Sequence, residues 1–219
     1  MPRALFEKTG SAVYISHLDL MRLFQRAFKR AGLPLTHTQG FNPRPSVSIA
    51  LPLSLGVSSE CELLDFDLEG EMPGYEEMRD RLNCALISGV HVREVYNSGS
   101  NLKNLALLQS VLTLEFDDGI PEGAAEQIRE LFSRPEVIVE KKNRNGVTEQ
   151  NVAAMIRRLS VEPISGRELE LRVLGCCQNP TLNPMQLVTA MEKYLPEVHP
   201  DFAKCRRVEI YDTNEEIFR

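Results

Sequence analysis

One order of secondary-structure patterns occurs twice along the 219 residues, and it restricts the fold more than any other feature. In each half a strand pattern precedes a helix pattern, and two further strand patterns, a second helix and a last strand follow. This β-α-β-β-α-β order is the ferredoxin-like split arrangement. It predicts an α+β protein of two tandem ferredoxin-like modules with antiparallel sheets, at residues 1–98 and 105–219, with a polar linker at 97–101.

The same patterns predict where the elements lie. In the first module they predict one bulged strand or a short hairpin at 3–15, a helix from Ser16, strands at 46–53 and 60–68, a helix at 75–88 and a strand at 90–96. In the second module they predict strands at 107–116, 136–142, 168–174 and 205–211, helices at 121–133 and 184–195, and a turn at 143–146. The stretch 147–164 is ambiguous and is compatible with a short inserted helix.

The helix after Ser16 has an apolar side and a basic side. Ser16 and Asp19 have capping-box spacing, in which each side chain satisfies the free backbone N–H of the other residue. Apolar residues recur at helical spacing and predict the buried side: Leu20, Leu23, Phe24, Ala27, Phe28 and Ala31. The cations lie on the other side: Arg22, Arg26 and Lys29, with Arg30 beside them. Gly32 and Pro34 end the helix.

The loop at 36–45 follows this helix and is dense in hydrogen-bonding side chains. Gly40 permits backbone angles that other residues avoid, while Pro43 and Pro45 stiffen the end of the loop. The functional candidates in the loop are His37, Gln39, Phe41, Asn42 and Arg44. An exposed phenylalanine can stack on a base of single-stranded nucleic acid. Turn formation alone is the alternative interpretation of this composition.

The basic helix and the loop together predict an anion-binding site. Arginine binds phosphate through paired hydrogen bonds, and cations on successive turns can follow a nucleic-acid backbone. The predicted ligand- or phosphate-binding residues are Lys8, His17, Arg22, Arg26, Lys29, His37, Gln39, Phe41, Asn42 and Arg44. His17 and His37 are also the candidates for catalysis, because a neutral histidine titrates near physiological pH. A merely solvated helix face is the alternative for the cations.

The charge of the chain is distributed unevenly. The formal net charge is −6, yet residues 1–50 contain seven Lys and Arg residues against two acidic residues. That segment therefore carries +5 and residues 51–219 carry −11. This asymmetry favours an anionic partner for the first module.

Other residue types argue against several classes of site. The five cysteines lack C-x-x-C spacing and the four histidines are dispersed, so no metal site, iron–sulfur cluster or disulfide framework is predicted. No glycine-rich phosphate-binding motif occurs, and the predicted cofactors are none. The sequence has no run of 18 apolar residues and no apolar signal core, so we expect a cytoplasmic protein without a membrane partner.

Several segments resemble the radical-SAM-associated (radical-SAM-linked) protein family, which is uncharacterised. They are F-E-K-T-G (6–10), Y-I-S-H-L-D-L-M-R (14–22), Q-R-A (25–27), R-A-G-L (30–33), H-T-Q-G-F-N-P (37–43) and S-I-A-L-P-L-S-L-G-V (48–57). The resemblance is dense over residues 3–70 and looser afterwards. The family loop usually reads G-F-N-P-H-P, and Arg44 stands here in place of the last histidine.

This resemblance implies a partner, since family members adjoin or form part of a cobalamin-binding radical-SAM protein. It favours an accessory protein that holds RNA or another phosphate-bearing ligand while the partner supplies the chemistry. A metal-independent endoribonuclease like the CRISPR-repeat nucleases of the RAMP type is one alternative, although Arg44 in place of histidine argues against it. A structural subunit that binds no nucleic acid is the other. The sequence leaves open the ligand, the partner surface and the oligomeric state.

Overall fold

The computed structural model describes residues 1–143 and 146–219, which fold into two compact units. One unit comprises Met1–Lys103 together with Arg219, and the other comprises Asn104–Phe218. Both are mixed α+β units built on antiparallel strand pairs, as the sequence predicts at this coarse level.

The first unit contains four strands and two α-helices. In chain order they are β1 (Pro2–Lys8), α1 (His17–Arg30), β2 (Val47–Ile49), β3 (Ser58–Phe66), α2 (Tyr75–Ala85) and β4 (Val90–Asn97). The strand order across this sheet is β4-β1-β3-β2, and every neighbouring pair is antiparallel. One local prediction was wrong, because a 3-10 helix, Gly10–Tyr14, follows β1 where the sequence suggested more strand.

The core of the first unit forms between α1 and the sheet. The apolar stripe predicted for α1 faces inward, and Leu20, Phe24, Ala27 and Phe28 are fully buried. The Phe24 ring lies edge-on to Phe6 of β1, with 4.7 Å between their centroids. The Phe28 ring packs against Phe66 of β3 at 4.8 Å. Burying each such side chain stabilises the fold by roughly 1.5–3 kcal/mol, so α1 is held firmly on the sheet.

The second unit contains six strands and two α-helices. They are β5 (Leu105–Glu115), α3 (Ala124–Ser133), β6 (Ile138–Asn143), β7 (Gly146–Asn151), β8 (Ile156–Pro163), β9 (Glu168–Cys176), α4 (Met185–Tyr194) and β10 (Phe202–Asp212). Within this unit the main sheet has the order β10-β5-β9-β8 with antiparallel neighbours. The strands β6 and β7 form a separate antiparallel pair. The prediction that the strand at 136–142 belongs to the main sheet was therefore wrong, because β8 pairs with β9 in its place.

The ambiguous stretch 147–164 is mostly strand, so the suggested inserted helix was wrong. Its only helical part is the single 3-10 turn Ala153–Met155, and β8 then pairs with β9 along most of its length. The stretch folds this way because its apolar residues pack into the unit: Val152, Met155 and Val161 are all buried. Tertiary pairing therefore overrides the helix propensity of V-A-A-M-I-R-R-L. The centre of the turn predicted at 143–146 lies outside the described residues.

The length and the hydropathy of the helices decide whether any of them could cross a membrane. None of the helices within residues 1–143 and 146–219 combines the length and the hydropathy that a bilayer span requires.

Candidate ligand-binding site

The start and the end of α1 are fixed by caps, and among the described contacts one half of the predicted capping box is formed, while the Asp19 carboxylate bonds to the Ser16 hydroxyl instead of the Ser16 N–H. The Ser16 hydroxyl accepts a hydrogen bond from the Asp19 backbone N–H at 3.2 Å and also contacts the Asp19 carboxylate at 2.7 Å. At the other end Gly32 has φ +67°, and the Leu33 N–H donates to the Phe28 carbonyl at 3.0 Å. This left-handed C-terminal arrangement satisfies carbonyls that the helix leaves free. The basic side chains of α1 are therefore presented from a helix of fixed length.

Three arginines of α1 surround one concavity of about 540 Å³, which we call the arginine concavity; its charged lining consists of Asp19, Arg22, Arg26 and Arg30. Arg22 pairs with Asp19 at 2.9 Å, and Arg30 donates to the Ala85 carbonyl at 2.6 Å. Hydrogen bonds from Ser16 and then from Arg22 lower the pKa of Asp19 below its ordinary value. Within the described part of the chain, Arg26 has no hydrogen-bond partner, so its guanidinium is available to an anion.

Residues 36–46 form a hairpin whose stem is held by backbone hydrogen bonds. The Thr38 N–H donates to the Arg44 carbonyl at 2.9 Å, and the Ser46 N–H donates to the Thr36 carbonyl at 2.7 Å. Thr36 anchors the stem to the sheet, because its N–H and its hydroxyl donate to the carbonyl and the carboxylate of Asp67, both at 3.0 Å. The segment is therefore a fixed hairpin and not a loose turn.

The tip of this hairpin, residues 39–43, points its side chains into solvent. Gly40 has φ +141°, a conformation that favours glycine. The Phe41 side chain is entirely exposed, at 108% of its reference area, and Gln39, Asn42 and Arg44 beside it are exposed as well. The fold therefore leaves the apolar surface of this ring in water and gains no burial free energy from it. An external planar group could recover that free energy by stacking.

A second concavity lies at the C-terminal end of α1, with a volume of about 440 Å³; we call it the α1-end pocket. Its apolar lining includes Phe28, Leu33, Pro34, Leu35 and Pro45, and its polar lining is Gln25, Lys29, His37 and Glu69. The His37 Nδ1 lies 3.7 Å from a Glu69 carboxylate oxygen. The pocket therefore joins an apolar floor to a small number of converging polar groups, as binding pockets for organic molecules do.

Two predicted site residues, Lys8 and His17, are less exposed than the other candidates. Lys8 is fully buried, and its ammonium donates to the carbonyls of Val13 at 3.1 Å and Ile15 at 2.8 Å. Lys8 thus secures the turn before α1 and is not available to a surface ligand. His17 is half-buried at the first residue of α1, and its Nδ1 is buried without a hydrogen-bond partner among the residues that the structure describes.

The remaining candidates divide into three groups. Arg22 and Arg26 border the arginine concavity, Lys29 and His37 border the α1-end pocket, and the side chains of Gln39, Phe41, Asn42 and Arg44 surround the hairpin tip. The helix and loop candidates therefore do not all converge at one junction. Sequence reasoning also missed Gln25 and Glu69. The available signal for Gln25 was its position one turn before Lys29, whereas nothing local marks Glu69.

The cysteines do not form a further site in the described chain. Cys61, Cys177 and Cys205 are buried and Cys84 is exposed. Burial raises the pKa of Cys177 and of Cys205 to about 11. These two thiols are therefore protonated and unreactive near neutral pH. Among residues 1–143 and 146–219, no group of three or more His, Cys, Asp or Glu side chains could hold a metal ion.

Comparison with known proteins identifies the family of the chain. Residues 2–184 match the profile of a family described as "Uncharacterized protein conserved in bacteria (DUF2344)". The chain belongs to this family. The matched range includes both concavities and the hairpin tip, so the candidate site lies within the part that defines DUF2344. No curated protein matches the chain.

Solved structures show a likeness in fold. A chain of "Crystal Structure of a Cbf5-Nop10-Gar1 Complex" aligns with TM-score 0.53 and 11% identity, over 95% of this chain and 48% of that chain. A chain of "Structure of H/ACA RNP bound to a substrate RNA containing 2'-deoxyuridine" aligns with TM-score 0.49 and 13% identity, over 94% of this chain and 46% of that one. This DUF2344 member thus spans about half the length of these solved chains. At such identity the first likeness concerns the fold alone.

Proposed function

We propose that this DUF2344 protein binds single-stranded RNA, or another phosphate-bearing ligand, on its first unit and does not itself catalyse a reaction. The observation that carries the proposal is the wholly exposed Phe41 ring on a hairpin fixed by main-chain hydrogen bonds. The ring has no partner of its own on the tip, and hydrogen-bonding side chains surround it. Proteins that bind single strands combine such stacking platforms with positive charge.

The groups around the ring suit the parts of a nucleotide. Phe41 offers a face for a base, and the amides of Gln39 and Asn42 can donate to or accept from a base edge. Arg44 can bind a phosphate through paired hydrogen bonds. The arginine concavity adds Arg26, whose guanidinium makes no hydrogen bond to the residues that the structure describes, and a positive groove favours a polyanion over a neutral ligand.

The fold can be proposed in more detail as well. The strand order β4-β1-β3-β2, with helices after β1 and β3, supports a ferredoxin-like first module at 1–98. In the second unit the order β10-β5-β9-β8 supports another at 105–219, with β6 and β7 as an inserted hairpin. We propose these two modules as the functional division of the chain.

The radical-SAM partner is also part of the proposal. It rests on the resemblance of residues 3–70, and the division of labour is that the partner supplies the chemistry while this chain positions the ligand. Copurification of tagged protein with a cobalamin-binding radical-SAM protein from the same cell tests this association. RNA binding without such copurification would retain the ligand proposal and reject the partner.

Titration of labelled single-stranded RNA tests the site. Phe41→Ala and Arg44→Ala should each weaken binding by about 1–3 kcal/mol, as expected for a lost stacking platform and a lost hydrogen bond to a charged group. Both side chains are exposed, so the thermal melting temperature should not change. The measurement is fluorescence anisotropy at low salt, repeated as salt is raised, because binding to phosphates weakens steeply with salt.

Tyr14→Ala and Arg93→Ala are the matched controls, since both side chains are exposed in the first unit and neither belongs to the hairpin at 36–46. They should bind RNA as the wild-type protein does. If Phe41→Ala and Arg44→Ala behave like these controls, the tip is not the binding site. Cleavage of the RNA without added metal, lost in His37→Ala, would instead support the nuclease alternative.

A further inference from the structure

We infer that the α1-end pocket binds one nucleotide, with the base inside the pocket and the phosphate at Lys29. This inference rests on the proposed function, because one base of the same RNA strand is a natural source of that nucleotide. A free nucleotide has the same chemistry and is the second source. The two sources are separated by experiment below.

The shape of the pocket suits a flat ring. Its volume of about 440 Å³ lies within the range of binding pockets for small organic molecules. The apolar lining combines the buried Phe28, Leu33 and Leu35 with the exposed Pro34 and the half-buried Pro45, so an aromatic ring placed there would displace water from the apolar surface that the prolines leave accessible. Gln25 at the edge carries both a donor and an acceptor. A base edge also carries both and can pair with the Gln25 amide, whereas a lipid chain or an alkyl group makes no hydrogen bond to it.

The charges favour a neutral group inside the pocket and a single anion at its mouth. The pocket lies at the C-terminal end of α1, where the helix dipole is negative, and the Glu69 carboxylate adds a further negative charge. A fully anionic ligand is therefore disfavoured in the interior. The exposed Lys29 supplies one positive charge at the rim. A nucleoside monophosphate has the matching distribution, with a neutral base and a terminal phosphate.

The walls are in place before a ligand arrives. The Leu33 N–H donates to the Phe28 carbonyl at 3.0 Å, and the Glu69 N–H donates to the Pro34 carbonyl at 2.8 Å. Leu35 forms a β-bridge with Leu68, and His37 forms one with Pro45. Because the main chain already fixes these segments, binding requires little ordering of the protein.

Calorimetric titration with the four nucleoside 5′-monophosphates and the four nucleosides tests the inference on the full chain. At least one monophosphate should bind, and its nucleoside should bind more weakly. Lys29→Ala should weaken the monophosphate about tenfold, as for a lost charged hydrogen bond, and leave the nucleoside unchanged. Gln25→Leu should weaken both. Lys103→Ala, which removes an exposed lysine elsewhere in the first unit, should change neither.

The outcomes separate this inference from the RNA proposal. If the wild-type protein binds labelled RNA but no nucleotide or nucleoside, the inference is wrong and the RNA proposal stands. If nucleotides bind and respond to Lys29→Ala and Gln25→Leu while RNA does not bind, the pocket is retained and the RNA proposal fails. Nucleotide binding that ignores both substitutions overturns the inference. Competition between the monophosphate and the RNA would identify the strand as the source of the base, and its absence would identify a free nucleotide.

Discussion

Replacing Gly89 with alanine is expected to lower the free energy of unfolding by about 3–5 kcal/mol. Gly89 has φ +84°, where an L side chain is strained, and an added Cβ would lie 2.5 Å from the Thr9 carbonyl oxygen and 2.9 Å from the Ala12 Cβ. The Thr9 N–H also donates to the Gly89 carbonyl at 2.7 Å, so neither backbone can move away without losing this bond. Urea denaturation followed by circular dichroism measures the change.

Gly70→Ala is the matched control for backbone strain. Gly70 has φ +79°, nearly the angle of Gly89, but an added Cβ would meet no atom within 4 Å. It should cost only about 1–2 kcal/mol, the strain of the left-handed conformation. Equal losses in the two variants would show that the close approach to Thr9 and Ala12 does not contribute. A larger loss at Gly89 assigns the difference to steric overlap with the turn before α1.

Lys8→Met should lower the free energy of unfolding by about 2–4 kcal/mol. Methionine can occupy the volume of the aliphatic stem, but the two charged hydrogen bonds to the carbonyls of Val13 and Ile15 are lost. Those carbonyls belong to the turn that sets the start of α1, so a local loss there also loosens the helix. Thermal and urea denaturation measure the effect.

Lys103→Met is the control, since Lys103 is exposed in the same unit, and its unfolding free energy should not change. RNA titration at a temperature where Lys8→Met is folded separates a structural role from a contact with the ligand. Wild-type affinity in the folded variant supports the structural role. A stable Lys8→Met protein with weakened RNA binding would restore Lys8 to the site.

Local sequence signals predicted the helices well. Ser16 and Asp19 gave the start of α1, and Gly32 gave its end, because a cap is a short-range hydrogen bond between neighbouring residues. The alternating segment 168–174 lies within β9, where Leu169, Leu171 and Val173 are buried as the period of two requires. In these segments the local pattern and the tertiary environment agree.

The errors arose where distant residues decide the outcome. Lys8 is buried in β1, which pairs with β3 at Ser59 and with β4 at Val90, and a charge pattern cannot reveal these partners. β8 is a strand because β9 pairs with it, although its own sequence suits a helix. The placement of the site residues also depends on contacts between distant segments. Lys29 meets His37 and Glu69 through the path of the hairpin stem, whereas Arg22 and Arg26 face a different concavity.

The construction of the hairpin has a consequence for divergence within DUF2344. Its stem is held by backbone groups and by the side chains of Thr36 and Thr38, while the side chains at 39, 41, 42 and 44 make none of the hydrogen bonds that hold the stem in the described structure. Mutations at those four positions can therefore accumulate without a compensating change elsewhere. Related chains are free to acquire new ligand preferences on an unaltered scaffold, and a randomised library at these positions would sample such preferences at little risk to folding.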